Sequence, residues 1–381
     1  MIPGEAVLDA FVNANILVCL AFCLWFCVRK GMQKIGLGQF HGTQLQLLNG
    51  VFLVVLFAPF LALGFRALQS TGVAHGVNLN LSDIVVSYYL NGGFEMKAAD
   101  LEGLIHARDT FTLNIMTGTG LIAQAAIAIF LIGLAIGTVR LIYSVFCLYN
   151  IVANSYDWRR FGRVRIMLSD RTLVPFSTRG FWNYYVVLPS HMLGQSHELK
   201  VSVAHELQHV RQGDLEWEII LEALKPIFFL NPFFHAWKRQ VEELREFNCD
   251  SKVLSKGIID VRTYCDTLLS ICQSTLRRDR AFVIAVPKVT LVTADRSSNW
   301  NNRPSMLESR VLSALEPRPT RNQKLMLIAF MLPLVAVLSL FAVAVQRPGD
   351  WSQDRLMLST VVNLERLDEI NRLSTFGRIR N

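Results

Sequence analysis

Four long apolar segments constrain the fold of this sequence more than any other feature. They run from Ala6 to Val28, Leu45 to Leu68, Phe111 to Phe146 and Leu325 to Val345. Each is long enough to cross a bilayer, which takes about 20 helical residues. The whole sequence is 52% apolar and only 18% charged, which excludes an ordinary soluble protein. We therefore expect a multi-span α-helical membrane protein with four transmembrane helices.

The distribution of lysine and arginine predicts the orientation of these spans. Basic residues follow the first and third spans and precede the fourth, whereas acidic residues prevail at the N-terminus and in the region 69–110. The basic residues are Arg29, Lys30, Lys34, Arg140, Arg159, Arg160, Arg163, Arg165, Arg318, Arg321 and Lys324. Because basic loops stay in the cytosol, we expect a bacterial cytoplasmic (inner) membrane protein with both termini outside.

This topology divides the chain into six parts. Residues 1–68 form two transmembrane helices with a cytosolic loop, 69–110 an external loop and 111–148 the third transmembrane helix. Residues 149–323 form a cytosolic domain, 324–346 the fourth transmembrane helix and 347–381 a short external tail. Apolar residues of the tail recur at helical intervals, which predicts an amphipathic helix on the membrane surface or against a partner. They are Met357, Val361, Leu364, Leu367, Ile370 and Leu373.

The cytosolic region has the pattern of a small α+β domain. The stretches GRVRIMLS, LVPFSTRG and NYYVVLP predict three short strands. Helices are expected at 196–212, 214–230, 235–255 and 259–277. The apolar stretch 215–234 is nearly long enough to span, but its charged residues are costly at the bilayer centre, so we interpret it as a core or membrane-surface helix. Those residues are Glu216, Glu218, Glu222 and Lys225.

The stretch AHELQHV contains an H-E-x-x-H pattern, which is typical of zinc peptidases. His205 and His209 are one helical turn apart on the same face, so two imidazole nitrogens can bind one Zn²⁺ ion at about 2.0 to 2.1 Å. Glu206 lies beside the metal, where it can take a proton from the attacking water and pass it to the leaving amine. We therefore expect one zinc ion per chain, with Glu206 as the catalytic base.

A catalytic zinc ion needs a third protein ligand. The metzincin pattern requires His at position 215, where this sequence has Leu215, so the third ligand is expected from a later helix. Glu242 and Glu246 compete for this role by spacing alone. We favour Glu246, because Asp250 one turn further on can then hydrogen-bond a ligand histidine and fix its tautomer. The expected domain is therefore a gluzincin-like metallopeptidase.

The stretch VAHELQHVRQGDLEWEIILEALKPIFFLNPFFHAWKRQVEELREFNCDSKVL resembles the core of the BlaR/MecR-type membrane metallopeptidases, the antirepressor and sensor-transducer proteases. The shared features are a zinc helix ending in Gly-Asp, an apolar helix closed by Asn-Pro, and a Glu-x-x-Cys-Asp helix. The resemblance implies His205, His209 and Glu246 as zinc ligands and Glu206 as the base. Asp214 of the Gly-Asp pair and Asp250 are expected to hold the ligand residues.

The sequence departs from the antibiotic-sensing members of that family. They carry a penicillin-binding domain with an acylable S-x-x-K serine after the fourth span, and no serine of this tail is followed by lysine at that spacing. β-Lactam sensing is therefore not expected. We expect a regulated protease that cuts a cytosolic protein, such as a transcriptional repressor, with self-cleavage between 281 and 323 by family analogy. A quality-control or maturation protease and a non-catalytic zinc-containing transducer remain alternatives.

The expected partners are a cytosolic protein substrate and the lipid bilayer. A peptide substrate is expected to extend an exposed strand edge formed by Tyr184, Tyr185 and Val186. The net charge is +8, but the basic residues border the apolar segments instead of forming one dense stripe. No direct nucleic-acid binding is therefore expected. The seven cysteines form no C-x-x-C unit, which argues against a disulfide framework. A homodimer is compatible with the sequence, which leaves the oligomeric state open.

Overall fold

A computed structural model describes residues 3–71, 81–93, 96–277, 289–290, 306–315, 323–345 and 353–378. The chain divides into two compact units, one made of Met1–Leu24, Gly50–Leu131 and Ala329–Asn381, and the other of Trp25–Asn49 and Ile132–Ile328. The helices are α1 (Pro3–Lys34), α2 (His41–Ser70), α3 (Leu81–Leu90), α4 (Ala98–Thr117), α5 (Leu121–Ala153), α6 (Ser196–Gln212), α7 (Asp214–Leu224), α8 (Pro232–Ser255), α9 (Val261–Arg277), α10 (Met306–Leu315), α11 (Gln323–Ala344) and α12 (Gln353–Arg378). The strands are β1 (Tyr156–Phe161), β2 (Val164–Ser169), β3 (Phe176–Arg179), β4 (Tyr184–Pro189) and β5 (Val289–Thr290).

Helices α1, α2, α5 and α11 are each long and apolar enough to cross a membrane. Their candidate spans are Val7–Lys34, His41–Phe65, Leu121–Ala153 and Lys324–Ala344. The described residues thus contain four candidate spans, as the sequence predicted. The protein is a mostly helical membrane protein with a small sheet.

The third span begins later than predicted. A helix was expected to run on from Phe111, but α4 ends at Thr117 and α5 begins only at Leu121. Gly118 closes α4 in the left-handed region with φ of 62°, and Gly120 has φ of 91°. Because residues with a side chain rarely adopt such angles, these two glycines permit the break in the helix.

The tail forms the predicted helix, α12. Leu358 and Val362 pack in a small core with Val86 of α3 and with Ala98 and Leu101 of α4. Four members of the predicted apolar stripe are exposed, namely Met357, Leu364, Leu367 and Ile370, which leaves this face open to a membrane surface or a partner. The region 69–110, expected to be an external loop, contains α3 and most of α4, while 72–80 and 94–95 fall outside the described residues.

The three predicted strands lie in one sheet, with two further strands that the sequence did not reveal. The order is β1-β2-β4-β3-β5, and β2 pairs with β4 in parallel while the other pairs are antiparallel. The expected substrate edge at Tyr184, Tyr185 and Val186 is therefore wrong, because β4 is hydrogen-bonded on both sides. Its buried apolar run, Val186 to Leu188, is typical of an inner strand.

Helices α6 to α9 follow the sheet, and α7 is shorter than expected. It ends at Leu224 because Pro226 lacks the backbone N–H that would continue the helical hydrogen bonds. Asn231 then caps α8, since its side chain accepts hydrogen bonds from the backbone of Phe233 and Phe234, and Pro232 occupies the first helical turn. Residues 225–231 thus form the turn of a hairpin between α7 and α8, which we call the hairpin tip.

The hairpin tip packs against α5 at two glycines. A Cβ atom added to Gly133 would lie 2.1 Å from Cζ of Phe229, and one added to Gly137 would lie 3.1 Å from Cα of Pro226. Glycine at these positions lets the tip approach the helix backbone closely. Leu148, about three helical turns beyond Gly137 on the same face, is part of the core under the sheet. One side of α5 therefore supports both the sheet and the hairpin.

We predict that Gly133→Ala destabilises the protein by about 1 to 3 kcal/mol, because the new methyl group forces the Phe229 ring to move. The thermal unfolding midpoint of the purified chain measures this loss. Gly103→Ala is the matched control, since a Cβ at that helical glycine meets nothing within 4 Å. An equal midpoint for both variants would contradict the packing.

Candidate metal centre

Helix α6 presents opposite faces to the sheet and to α8. Leu199, Val203, Leu207 and Val210 recur at helical spacing and pack on β2 and β4. The other face therefore points away from the sheet, and it carries His205 and His209, both fully buried. Their Nε2 atoms lie 3.0 Å apart. The motif thus places two imidazoles side by side in a dry interior, where polar groups need partners.

Glu246 approaches this pair from α8. Its Oε2 lies 3.4 Å from Nε2 of His205 and its Oε1 lies 3.6 Å from Nε2 of His209. Tetrahedral ligands of zinc at about 2.1 Å are separated from one another by about 3.4 Å, so these three side chains fit one ion. Glu242, the competing candidate, is instead partly exposed and bound to Lys238.

Cys249 offers a second possible third ligand. Its sulfur and one ring nitrogen of each histidine lie within 4.8 Å of one another. However, Sγ is 3.5 Å from Nδ1 of His205 and from the backbone oxygen of the same residue, on the opposite edge of the ring from Nε2. Burial also raises the pKa of this thiol well above its usual value, which opposes the thiolate that a metal needs. We therefore prefer the set with Glu246.

The far nitrogens of both imidazoles are hydrogen-bonded. Asp214, at the first residue of α7, places Oδ2 2.7 Å from Nδ1 of His209. Nδ1 of His205 lies 2.8 Å from the Tyr264 hydroxyl, which donates to Asp250. These bonds hold the proton of each ring on Nδ1 and leave both Nε2 atoms free for a metal. Asp214 occupies its expected place, whereas Asp250 acts mainly through Tyr264, which sequence reasoning missed.

Glu206 is fully buried, and neither carboxylate oxygen has a hydrogen-bond partner within normal geometry among the described residues. Burial raises the pKa of Glu206 to about 7, partly opposed by His209 and by the nearby Ser177 hydroxyl. Such orphaned oxygens in a dry interior indicate that water or an ion belongs beside them. The burial of Glu246 would also raise its pKa, but Arg310 and the imidazoles lower it to about 2, so it is a carboxylate ready for a cation.

Arg310 is a buried member of the site that sequence reasoning missed. It lies on α10 and donates from Nε and Nη2 to both oxygens of Asp250, at 2.7 and 2.6 Å. Its Nη1 lies 3.2 Å from Oε2 of Glu246. No local pattern in the sequence around Arg310 signalled this role. The fork of one arginine thus holds two carboxylates of the centre.

Together, the four candidate spans and the buried histidine–carboxylate centre define a membrane metallopeptidase. The chain belongs to the family described as BlaR1 peptidase M56, whose profile matches residues 5–290. Membership implies a metal-dependent peptidase of the membrane that acts in signal transduction. A comparison with curated proteins returned no match.

We predict that Arg310→Met weakens Zn²⁺ binding about 10- to 100-fold, because Glu246 loses the charge that orients it. Competition with a chelating dye measures the affinity. Arg310→Lys restores the charge but not the fork and is expected to recover it partly. Arg239→Met, at an exposed site of α8, is the matched control.

The double variant Arg310→Met with Asp250→Asn separates two roles of the arginine. If Arg310 only neutralised Asp250, the double variant would recover wild-type zinc affinity. We expect it to remain weak, since Glu246 stays unsupported.

Proposed function

We propose that this chain is a zinc metalloendopeptidase of the gluzincin type, with His205, His209 and Glu246 as ligands and Glu206 as the catalytic base. The observation that carries the proposal is the convergence of Glu246 with the two Nε2 atoms, beside a buried carboxylate that has no hydrogen-bond partner among the described residues. Zinc suits a set of two imidazoles and one carboxylate and leaves a coordination position open for chemistry.

In this mechanism the bound zinc ion would polarise the scissile carbonyl and make water a stronger nucleophile at neutral pH. Glu206 takes a proton from the attacking water and transfers it to the leaving amine nitrogen. Asp214 and the Tyr264–Asp250 pair keep the imidazoles in the tautomer that the site requires.

The outer edge of β3 is the better candidate for binding a peptide backbone, since β4 is enclosed. Ser177 of β3 lies near Glu206, and its pairing partner on the outer side is the two-residue strand β5. The rest of β3, Thr178 and Arg179, has no strand on that side among the described residues. A substrate strand added there would place its carbonyls next to the centre.

We infer that the natural substrate is a cytosolic protein, such as a transcriptional repressor, cut after an event sensed through the membrane. The positive-inside pattern supports a cytosolic domain, with both termini outside the cytoplasmic membrane. Family membership supports a role in signalling. The peptidase itself is not expected to bind nucleic acid directly.

Self-cleavage is part of this proposal, and β5 supports it. Val289 and Thr290 pair with Ser177 and Phe176, so a piece of the chain's own 281–323 region occupies the strand edge beside the base. A chain segment already aligned on that edge needs little further ordering to present a bond for cleavage. The residues around β5, 278–288 and 291–305, lie outside the described part.

We predict that His205→Ala abolishes stoichiometric zinc binding and peptidase activity, because two of three ligands cannot hold a catalytic ion tightly. Metal analysis of the purified membrane protein checks this. His197→Ala, an exposed histidine on the same helix, is the matched control and should keep its zinc. Retention of one zinc ion per chain in His205→Ala would overturn the assignment.

Glu206→Gln is predicted to keep zinc but to lose peptidase activity by several orders of magnitude, since the glutamine side chain cannot accept the proton of the attacking water. Comparing whole-cell proteomes of wild type and variant tests the substrate class. One regulator that accumulates in the variant supports signalling. Many accumulating membrane proteins would point to quality control, and no difference to a non-catalytic transducer.

We predict that the purified wild-type chain is cut into two fragments at a bond between residues 281 and 323, and that the Glu206→Gln variant stays intact. Gel analysis with mass spectrometry of the new ends checks this. A wild-type chain that remains uncut under every activating condition would dispose of self-cleavage while leaving the zinc site untouched.

A further inference from the structure

The hairpin tip, residues 225–231, contacts α5 at a level that belongs to the membrane. Phe229 and Pro226 of the tip meet Gly133 and Gly137 of α5. Counted from Leu121, where α5 begins, Arg140 is its first charged residue. A span of about 20 residues that starts at Leu121 ends at Arg140, so Gly133 lies seven residues, or about 10 Å, inside the hydrocarbon layer. A span that starts further along α5 would place Gly133 deeper still.

The outer surface of the hairpin is suited to lipid. Large apolar side chains are exposed on α7 and the tip, namely Ile219, Ile220, Ile227 and Leu230. They belong to the hairpin that packs against α5, a candidate spanning helix that itself exposes apolar side chains along its length. Acyl chains are therefore the occupant that fits this surface, since the helix beside it faces the same medium.

Two carboxylates of the hairpin, Glu218 and Glu222, are turned inward and paired, whereas Lys225 at the start of the tip is partly exposed and lies 3.6 Å from Glu222. Lys238 of α8 contacts Glu218 at 3.0 Å and Glu222 at 2.9 Å, and Arg245 contacts Glu218 at 2.8 Å. All four side chains are buried. Their mutual attraction lowers the pKa of Glu218 and raises that of Lys238 in spite of burial, so the cluster stays ionised but hidden from lipid. Charges oppose insertion only where they face hydrocarbon.

Several backbone groups of the tip are hydrogen-bonded within the hairpin. The N–H groups of Ile227 and Phe228 donate to the carbonyl of Leu224, and that of Asn231 donates to Phe228. The carbonyl of Phe229 accepts a hydrogen bond from Nε2 of His235, at 3.0 Å. Irregular backbone is tolerated at membrane depth only where its polar groups have such partners.

From these observations we infer that the hairpin tip is a re-entrant wedge, inserted among the acyl chains of the leaflet that faces the peptidase domain. The wedge fixes the metal centre near the membrane surface, because Asp214, which holds His209, is separated from the tip only by α7, about 17 Å long. Peptide bonds presented close to the headgroups are then the accessible substrates.

Tryptophan quenching in lipid nanodiscs tests this depth. Leu230→Trp places an indole on the tip, where the native side chain is 60% exposed, and Ile258→Trp is the matched control, with a native exposure of 67%. Ile258 lies beyond the far end of α8, about 36 Å along the helix axis. Subtracting the spectrum of the parent chain isolates the added indole in each case. An unchanged thermal unfolding midpoint confirms that each variant is folded.

The wedge predicts that lipids brominated on their acyl chains quench the indole at 230 severalfold more than the one at 258, and that aqueous iodide quenches in the opposite order. Ile227→Trp, one residue of the same tip, should behave like Leu230→Trp. Equal quenching of 230 and 258 by iodide, with no effect of brominated lipid on 230, would overturn the wedge. These quenching measurements do not depend on peptidase activity, so a failure of the wedge can be distinguished from a failure of the zinc assignment.

Discussion

The burial of several carboxylates around two buried imidazoles is the constraint on which the rest of the centre depends. Glu206, Glu246, Asp214 and Asp250 are all buried within the same interior. An ionised carboxylate removed from water costs several kcal/mol unless a cation stands close by. Among the described residues, Arg310 and Arg245 supply that charge, and Arg245 is shared with Glu218. The remaining excess of negative charge is a strong reason for a divalent cation at this point.

The helix that carries Glu246 is also held by the ends of two spans. Arg29, near the end of α1, is hydrogen-bonded to Gln240 and lies 3.5 Å from Glu243. His41, the first residue of α2, stacks on Phe247 and bonds to Ser313 of α10, three residues beyond Arg310. The spans therefore contact both α8 and the helix of the arginine that orients its glutamate. Any displacement of α2 against α8 acts on residues adjacent in sequence to the metal ligand.

The features that the sequence predicted involve residues close together in the chain, whereas the features that it missed involve contacts between distant residues. The spans and the H-E-x-x-H turn are local patterns, so periodicity and spacing were sufficient to place them. Glu246 needed one further step, the elimination of a local third ligand. Tyr264 and Arg310 reach the centre from α9 and α10, and nothing in their neighbouring residues announces a buried hydrogen bond. The position of β4 inside the sheet depends on its pairing with both β2 and β3, and the parallel pairing with β2 passes over β3 in the chain, so no pattern within β4 predicts it.

The segment 215–234 shows why a tally of charges misjudges membrane depth. Counted singly, Glu218 and Glu222 make insertion costly, and that reasoning correctly excludes a full crossing. The hairpin turns these carboxylates towards Lys238 on α8, so the outward face is left apolar while the charges cancel inside. The cost of inserting a helix depends on which of its faces contacts lipid, and in a hairpin each helix can turn its charged face towards the other. A segment can therefore enter a leaflet, return, and still keep His205 and Glu246 on the same side of the bilayer.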